Sequence, residues 1–177
     1  MGGAVHLVKR FLGSLWPAGP RRVENEWVEG VLLSGEFALW TRMAGADRRH
    51  AVGVARRVEQ AFAARNEPGE PPRAVLAAAL MHDVGKLDSR LGTYGRVVAT
   101  LAGKLVGPAA AYAWSERRGF TRRVGLYLRH GELGADRLRL AGSDPLTVAW
   151  AAEHHRSAEY WSLPTETATL LKDADDD

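Results

Sequence analysis

Apolar positions recur at helical spacing over most of the chain, and no stretch alternates with period two for long. In residues 4–16, Val5, Leu7, Val8, Phe11, Leu12, Leu15 and Trp16 surround Lys9 and Arg10, and Pro17, Gly19 and Pro20 end the segment. Short helices are predicted at 22–29 and 36–43, the latter with an apolar stripe of Phe37, Trp40 and Met43. A longer helix is predicted over 47–65: Asp47 suits an N-cap, and Ala51, Val54, Ala55, Val58, Ala61 and Phe62 form one face. The breakers of 66–72 read as a loop, and eight consecutive apolar residues, 74–81, predict a helix buried on most sides.

Beyond that helix, Gly92 and Gly95 break the chain before two helices expected to be core, 96–106 and 108–118. Thr121 can cap a helix running through His130 toward Leu140. Ser143-Asp144-Pro145 opens a helix over 146–152, because proline is tolerated where the first turn has no N–H partner to lose. Ser162 and Pro164 announce the last helix. The fold class expected is all-α, a single-domain helical bundle, with residues 1–45 as an N-terminal helical segment packing on a domain of 46–177.

Composition narrows the chemistry. With 177 residues, 46% apolar and 25% charged, one domain with a real core is expected. The absence of cysteine excludes disulfide frameworks and thiolate metal sites, so a metal would rest on His, Asp and Glu. The net charge of +3 hides a more basic body, since Asp173, Asp175, Asp176 and Asp177 crowd the C-terminus. That balance favours an anionic ligand, while arginine-rich helices ordinarily present solvated faces, and no nucleic-acid partner is expected. Residues 97–114 are the most membrane-like stretch, but Lys104, Gly103, Gly107 and Pro108 interrupt it. No membrane partner is expected, and residues 1–16 lack the order of a secretory signal, so a cytoplasmic protein is the expectation.

The candidate chemistry centres on Met81-His82-Asp83-Val84-Gly85-Lys86, directly after the most apolar run. A buried imidazole and carboxylate need a partner. A histidine satisfied within the core beside a helix-end aspartate is one answer; a metal ion is another, because these two ligand types suit zinc, iron or manganese. Gly85 is read as freeing the backbone to turn, and Lys86 as setting an ammonium beside anything bound there. His50 falls about 80° from the centre of the apolar face of its helix, where it can look into a cleft. His130 shares a face with Leu126, Tyr127 and Leu133, Glu153-His154-His155 ends the 146–152 helix, and Asp175 sits four residues after Leu171. Apart from His6, every histidine of the chain is at the margin of an apolar helix face.

This order of residues resembles the HD domain superfamily of metal-dependent phosphohydrolases, over roughly residues 50–177. The parts that carry the resemblance are Asp47-Arg48-Arg49-His50, the His82-Asp83-Val84-Gly85-Lys86 run, Glu153-His154-His155 and the terminal Ala174-Asp175. The resemblance implies an HD-type helical bundle in which His50, His82, Asp83 and Asp175 hold a first metal, with Asp173 competing for the last position. In the binuclear subset Asp83 bridges to a second ion held by His130 and His154, with His155 a further ligand or a hydrogen-bonding group behind them. The implied cofactors are two divalent ions, iron or manganese ahead of magnesium, zinc, nickel and cobalt. Asp83 and Lys86 would be catalytic, and Lys86, Arg48, Arg49 and His155 would face a small anionic phosphorylated substrate. The implied reaction is hydrolysis of a nucleotide, cyclic dinucleotide or related phosphoester by a metal-activated hydroxide. The same ligand order also resembles the di-iron oxygenases of the myo-inositol oxygenase type, and a non-catalytic metal-binding or ligand-binding helical domain is the third reading. The Gly-Tyr-Pro motif of one cyclic-dinucleotide-hydrolysing subgroup is absent, and the pattern commits to no oligomeric state.

Overall fold

A computed structural model describes residues 18–65 and 69–176, and among them every regular element is helical. In chain order they are α1 (Arg22–Val31), α2 (Ser34–Trp40), α3 (Gly45–Ala64), α4 (Arg73–Met81), α5 (Lys86–Ser89), α6 (Thr93–Gly103), α7 (Pro108–Ser115), α8 (Gly119–Leu128), α9 (His130–Leu140), α10 (Pro145–Glu153), a 3-10 turn (Ala158–Tyr160) and α11 (Thr165–Asp176). None of the described helices is long and apolar enough to cross a membrane. The helix expected over 4–16, His6 within it and the loop residues 66–68 lie outside the described residues.

The apolar run ahead of His82 folds as α4, and every residue from Val75 to Met81 is buried. It can be apolar on all sides because α3 packs on one flank and α10 on another, with α11 and α1 closing the rest. Val28, Trp40, Met43, Val54, Val58, Leu138, Trp150 and Leu171 join it in one continuous core. Asp144 caps α10 by accepting from the Leu146 N–H at 2.8 Å, and Pro145 occupies its first position, as the pattern predicts.

Four expectations give way. Asp47 is no N-cap: α3 begins at Gly45, and the buried Asp47 carboxylate instead takes a two-pronged ion pair from Arg96, with the Nη2–Oδ2 arm at 2.8 Å. The helix expected to run unbroken from Thr121 past His130 is two helices, α8 and α9, parted at Arg129, whose ψ of 11° leaves the helical range. Gly95 lies inside α6 and breaks nothing; Gly92 alone marks its start.

The fourth concerns α6 and α7, which are not core helices. Only Ala99 of α6 and Ala111 and Ser115 of α7 are buried. These helices pack on α8 around a small second cluster of Leu91, Ala99 and Val124. The approach is close because glycine permits it: a Cβ on Gly125 of α8 would stand 2.3 Å from the Ser115 nitrogen.

Candidate metal centre

Three histidines of the site follow helix ends, and each solves the same local problem. The carbonyls of a last helical turn lack an i+4 N–H partner. His82 sits one residue past α4 and donates from Nδ1 to the Ala79 carbonyl at 2.9 Å. His130 follows the end of α8 and donates to Tyr127 at 2.6 Å. His154 caps α10 and donates to Ala151 at 3.0 Å. A carbonyl only accepts, so the proton of each neutral ring is on Nδ1 and the lone pair is on Nε2. All three Nε2 atoms converge on Asp83.

Asp83 Oδ1 lies 3.4 Å from His130 Nε2 and 3.7 Å from His154 Nε2, and its Oδ2 lies 3.4 Å from His82 Nε2. Asp175, delivered by the last turn of α11, sets Oδ1 2.9 Å from His50 Nε2 and 3.7 Å from His82 Nε2. Asp175 is buried and Asp173 exposed, which separates the two terminal candidates. Arg57 of α3 anchors the end of α11 by donating to the Ala174 carbonyl at 2.7 Å.

Two groups of ligand atoms result, each with its members within 4.8 Å of one another: His50, His82 and Asp83, and Asp83, His130, His154 and His155. They share Asp83. The donor set fits divalent cations on its own terms, because Nε2 of His82 and of His154 are buried with no hydrogen-bond partner among the described residues. A neutral imidazole lone pair aimed at a carboxylate oxygen is two acceptors facing each other, and a cation between them satisfies both. His155 Nε2 lies 3.1 Å from His130 Nε2, a hydrogen bond when His155 carries the proton there.

Charge in the site follows from packing. Burial alone would raise the pKa of Asp83, but Lys86, then His82, hold it well below the usual carboxylate value. Asp175 is likewise lowered: burial opposes, and His82 and His50 prevail. Burial pushes His154 down to about 4, with neighbouring His82 and His130 adding to it, so the ring is neutral at pH 7. Its neighbour His155 is exposed overall, yet desolvation of its inward side, followed by His154 and His130, lowers it too. For His82 burial acts downward, but Asp83 and Asp175 outweigh it and the pKa rises. Lys86 places Nζ directly on Asp83 Oδ2, and that contact raises its pKa against burial.

Gly85 serves proximity, not turning. Its φ of −66° and ψ of −14° are open to any residue. A Cβ there would stand 1.8 Å from the His130 carbonyl oxygen and 2.6 Å from the Gly134 nitrogen. Glycine at 85 is what lets the His82-Asp83 turn press against the start of α9, so that Asp83 and His130 meet.

Of the two arginines expected at substrate, Arg48 lays its guanidinium against Gly19, and Arg49 is half-buried beside His50. Glu153, read with His154-His155, turns away from the cluster and accepts from the Ser162 N–H and hydroxyl, both at 2.7 Å, bracing the segment after α10. Sequence reasoning missed Arg57 and the Asp47–Arg96 pair, which ties α6 to the helix carrying His50. Asp47, three residues before a candidate site histidine, was the available signal for the second.

A family model described as HD domain matches residues 48–176, a span that includes every residue of both groups. No curated protein and no solved structure matches the chain.

Proposed function

The chain belongs to the HD domain family, and from that premise we propose that it is a metal-dependent phosphohydrolase acting on a nucleotide, cyclic dinucleotide or related phosphoester. The observation that supports it is the carboxylate of Asp83, shared between two sets of imidazoles, with Nε2 of His82 and of His154 left without a hydrogen-bond partner among the described residues. His50, His82, Asp83 and Asp175 would hold one divalent ion, and Asp83, His130 and His154 a second, with iron or manganese the first choices for nitrogen and oxygen ligands without thiolate. Such ions, when bound, polarise a phosphoryl oxygen and lower the pKa of water enough to supply a nucleophile near neutral pH.

The chain's own groups do the rest. Asp83 remains ionised in a buried setting because Lys86 stands on it. Lys86 thereby sets a positive charge at the edge of the cluster, where charge grows on phosphoryl oxygens as the ester bond breaks. The Nδ1 donations of His82, His130 and His154 fix ring orientation and tautomer without help from substrate. The small anionic phosphorylated substrate is the partner this arrangement favours.

Elemental analysis of freshly purified protein tests the reading first. Two equivalents of iron or manganese are expected, and His82→Ala and Asp83→Ala should each cut bound metal by at least about tenfold. Wild-type metal content in both variants would refute the site. Hydrolysis of a phosphoester panel with Mn²⁺ or Fe²⁺ tests the activity, and no turnover at any metal loading would refute that.

A further inference from the structure

A second concentration of charge lies apart from the metal centre. A half-open cleft of about 820 Å³ is lined by Arg42, Arg90, Arg122, Arg123 and Arg137, with Asp88 the one acidic residue in its wall. None of the metal-centre residues lines it. The two sites meet at α5: Lys86, at one end, reaches Asp83, while Leu87, Asp88 and Ser89 face the cleft.

Asp88 is already engaged, accepting from Arg137 Nε at 2.8 Å and from its Nη2. Arg123 donates from Nε to the Ser89 carbonyl at 3.0 Å. Arg42, Arg90 and Arg122 have no acidic partner among the described residues. Arg42, Arg90, Arg122 and Arg123 are exposed, and like charges gathered around one concavity focus a positive potential that an anion relieves.

Arg90 adds an independent argument. It is the one described non-glycine residue with a positive φ, at φ 48° and ψ 29°. Glycine would adopt that backbone with less strain, so what position 90 adds is the guanidinium. Leu87, Leu126 and Leu133 supply an apolar floor between the cations. Planar guanidiniums around an apolar floor suit a ligand with several phosphates on an organic body.

We propose that this cleft is a second anion site, distinct from the metal centre, for a polyphosphorylated small molecule of the nucleoside-polyphosphate class.

The test is calorimetric titration of inorganic tripolyphosphate into the full chain at fixed ionic strength, with EDTA present so that no metal-bridged binding contributes. Wild type, Arg42→Ser/Arg122→Ser and Asp83→Ala are compared, each first checked for folding by circular dichroism. Neither arginine has an acidic partner to leave behind among the described residues, so the double variant is expected to fold. Binding about 100-fold weaker in the double variant, roughly tenfold for each charge-assisted hydrogen bond removed, with Asp83→Ala like wild type, is the expected result. Unchanged affinity in the double variant, or loss in Asp83→Ala alone, would overturn the proposal. So would indifference of the wild type to tripolyphosphate when a single-stranded oligonucleotide binds.

Discussion

The helices α4 and α6 look alike as strings of apolar letters and end up in opposite circumstances. In α4 every residue from Val75 to Met81 is buried. In α6 the small residues Gly95, Ala99 and Gly103 turn inward, and the large ones turn out: Tyr94 is 77% exposed and Leu101 58%, with Leu105 just past the helix at 87%. Tyr94, Val97, Val98, Leu101 and Leu105 fall within about 100° of one another around the axis, opposite that small-residue face. The small face sets its distance to its neighbours, since a Cβ on Gly103 would stand 2.7 Å from Leu128 Cδ2. An apolar run thus specifies a helix, but burial depends on how many neighbours the topology supplies. α4 is enclosed by α3, α10 and α11, whereas α6 has α8 on one side.

Substitutions can break that contrast, beginning where the enclosed region is tightest. Gly85→Ala forces a Cβ into the backbone of His130, which no rotamer change relieves, so a loss of at least about 4 kcal/mol is expected, with metal affinity falling alongside. Urea unfolding together with metal content measures both; wild-type stability would mean that the His82-Asp83 turn and α9 are farther apart. Leu80→Ala empties a fully buried position in α4 and should cost about 3 kcal/mol. A loss under about 1 kcal/mol, read from the urea midpoint, would place α4 in a looser core.

Asp47→Asn probes the link between the two regions. It removes the charge from a pair whose side chains are mostly buried, and about 2 kcal/mol is expected. The measurement that distinguishes a link from a local contact is hydrogen exchange: protection should fall in α6 and in the turn of α3 before His50 alike. Leu101→Ser is the smallest effect. On an exposed face it should shift stability by no more than about 0.5 kcal/mol. A loss as large as that of Leu80→Ala would show that the outer face of α6 is covered in solution.

Much of the site is readable in the sequence because its chemistry sits at helix ends. Apolar periodicity marks where α4 and α10 stop, and the histidines follow those stops, where last-turn carbonyls take their Nδ1 protons. The terminal Ala174-Asp175 is singled out by its offset to Leu171, and the structure buries Asp175. Other features are not, since they join distant residues. The Arg96–Asp47 pair spans 49 positions and the Arg57–Ala174 contact 117. Gly85 misleads for a related reason: a glycine kept for a turn and one kept for a close approach look the same in one dimension, and only the neighbouring backbone, here His130 and Gly134, distinguishes them.

By itself the amino-acid sequence determined that this chain is helical, where most of its helices begin and end to within a few residues, and which imidazoles and carboxylates are candidates for a cation. These are consequences of local periodicity and of the unpaired groups at helix termini. Tertiary structure alone decided that Asp83 is shared by two sets of histidines, that α6 keeps its bulky residues in water, and that five arginines line one cleft. Such facts depend on distances between elements far apart in the chain, which are set by how closely backbones can approach and not by any spacing along it.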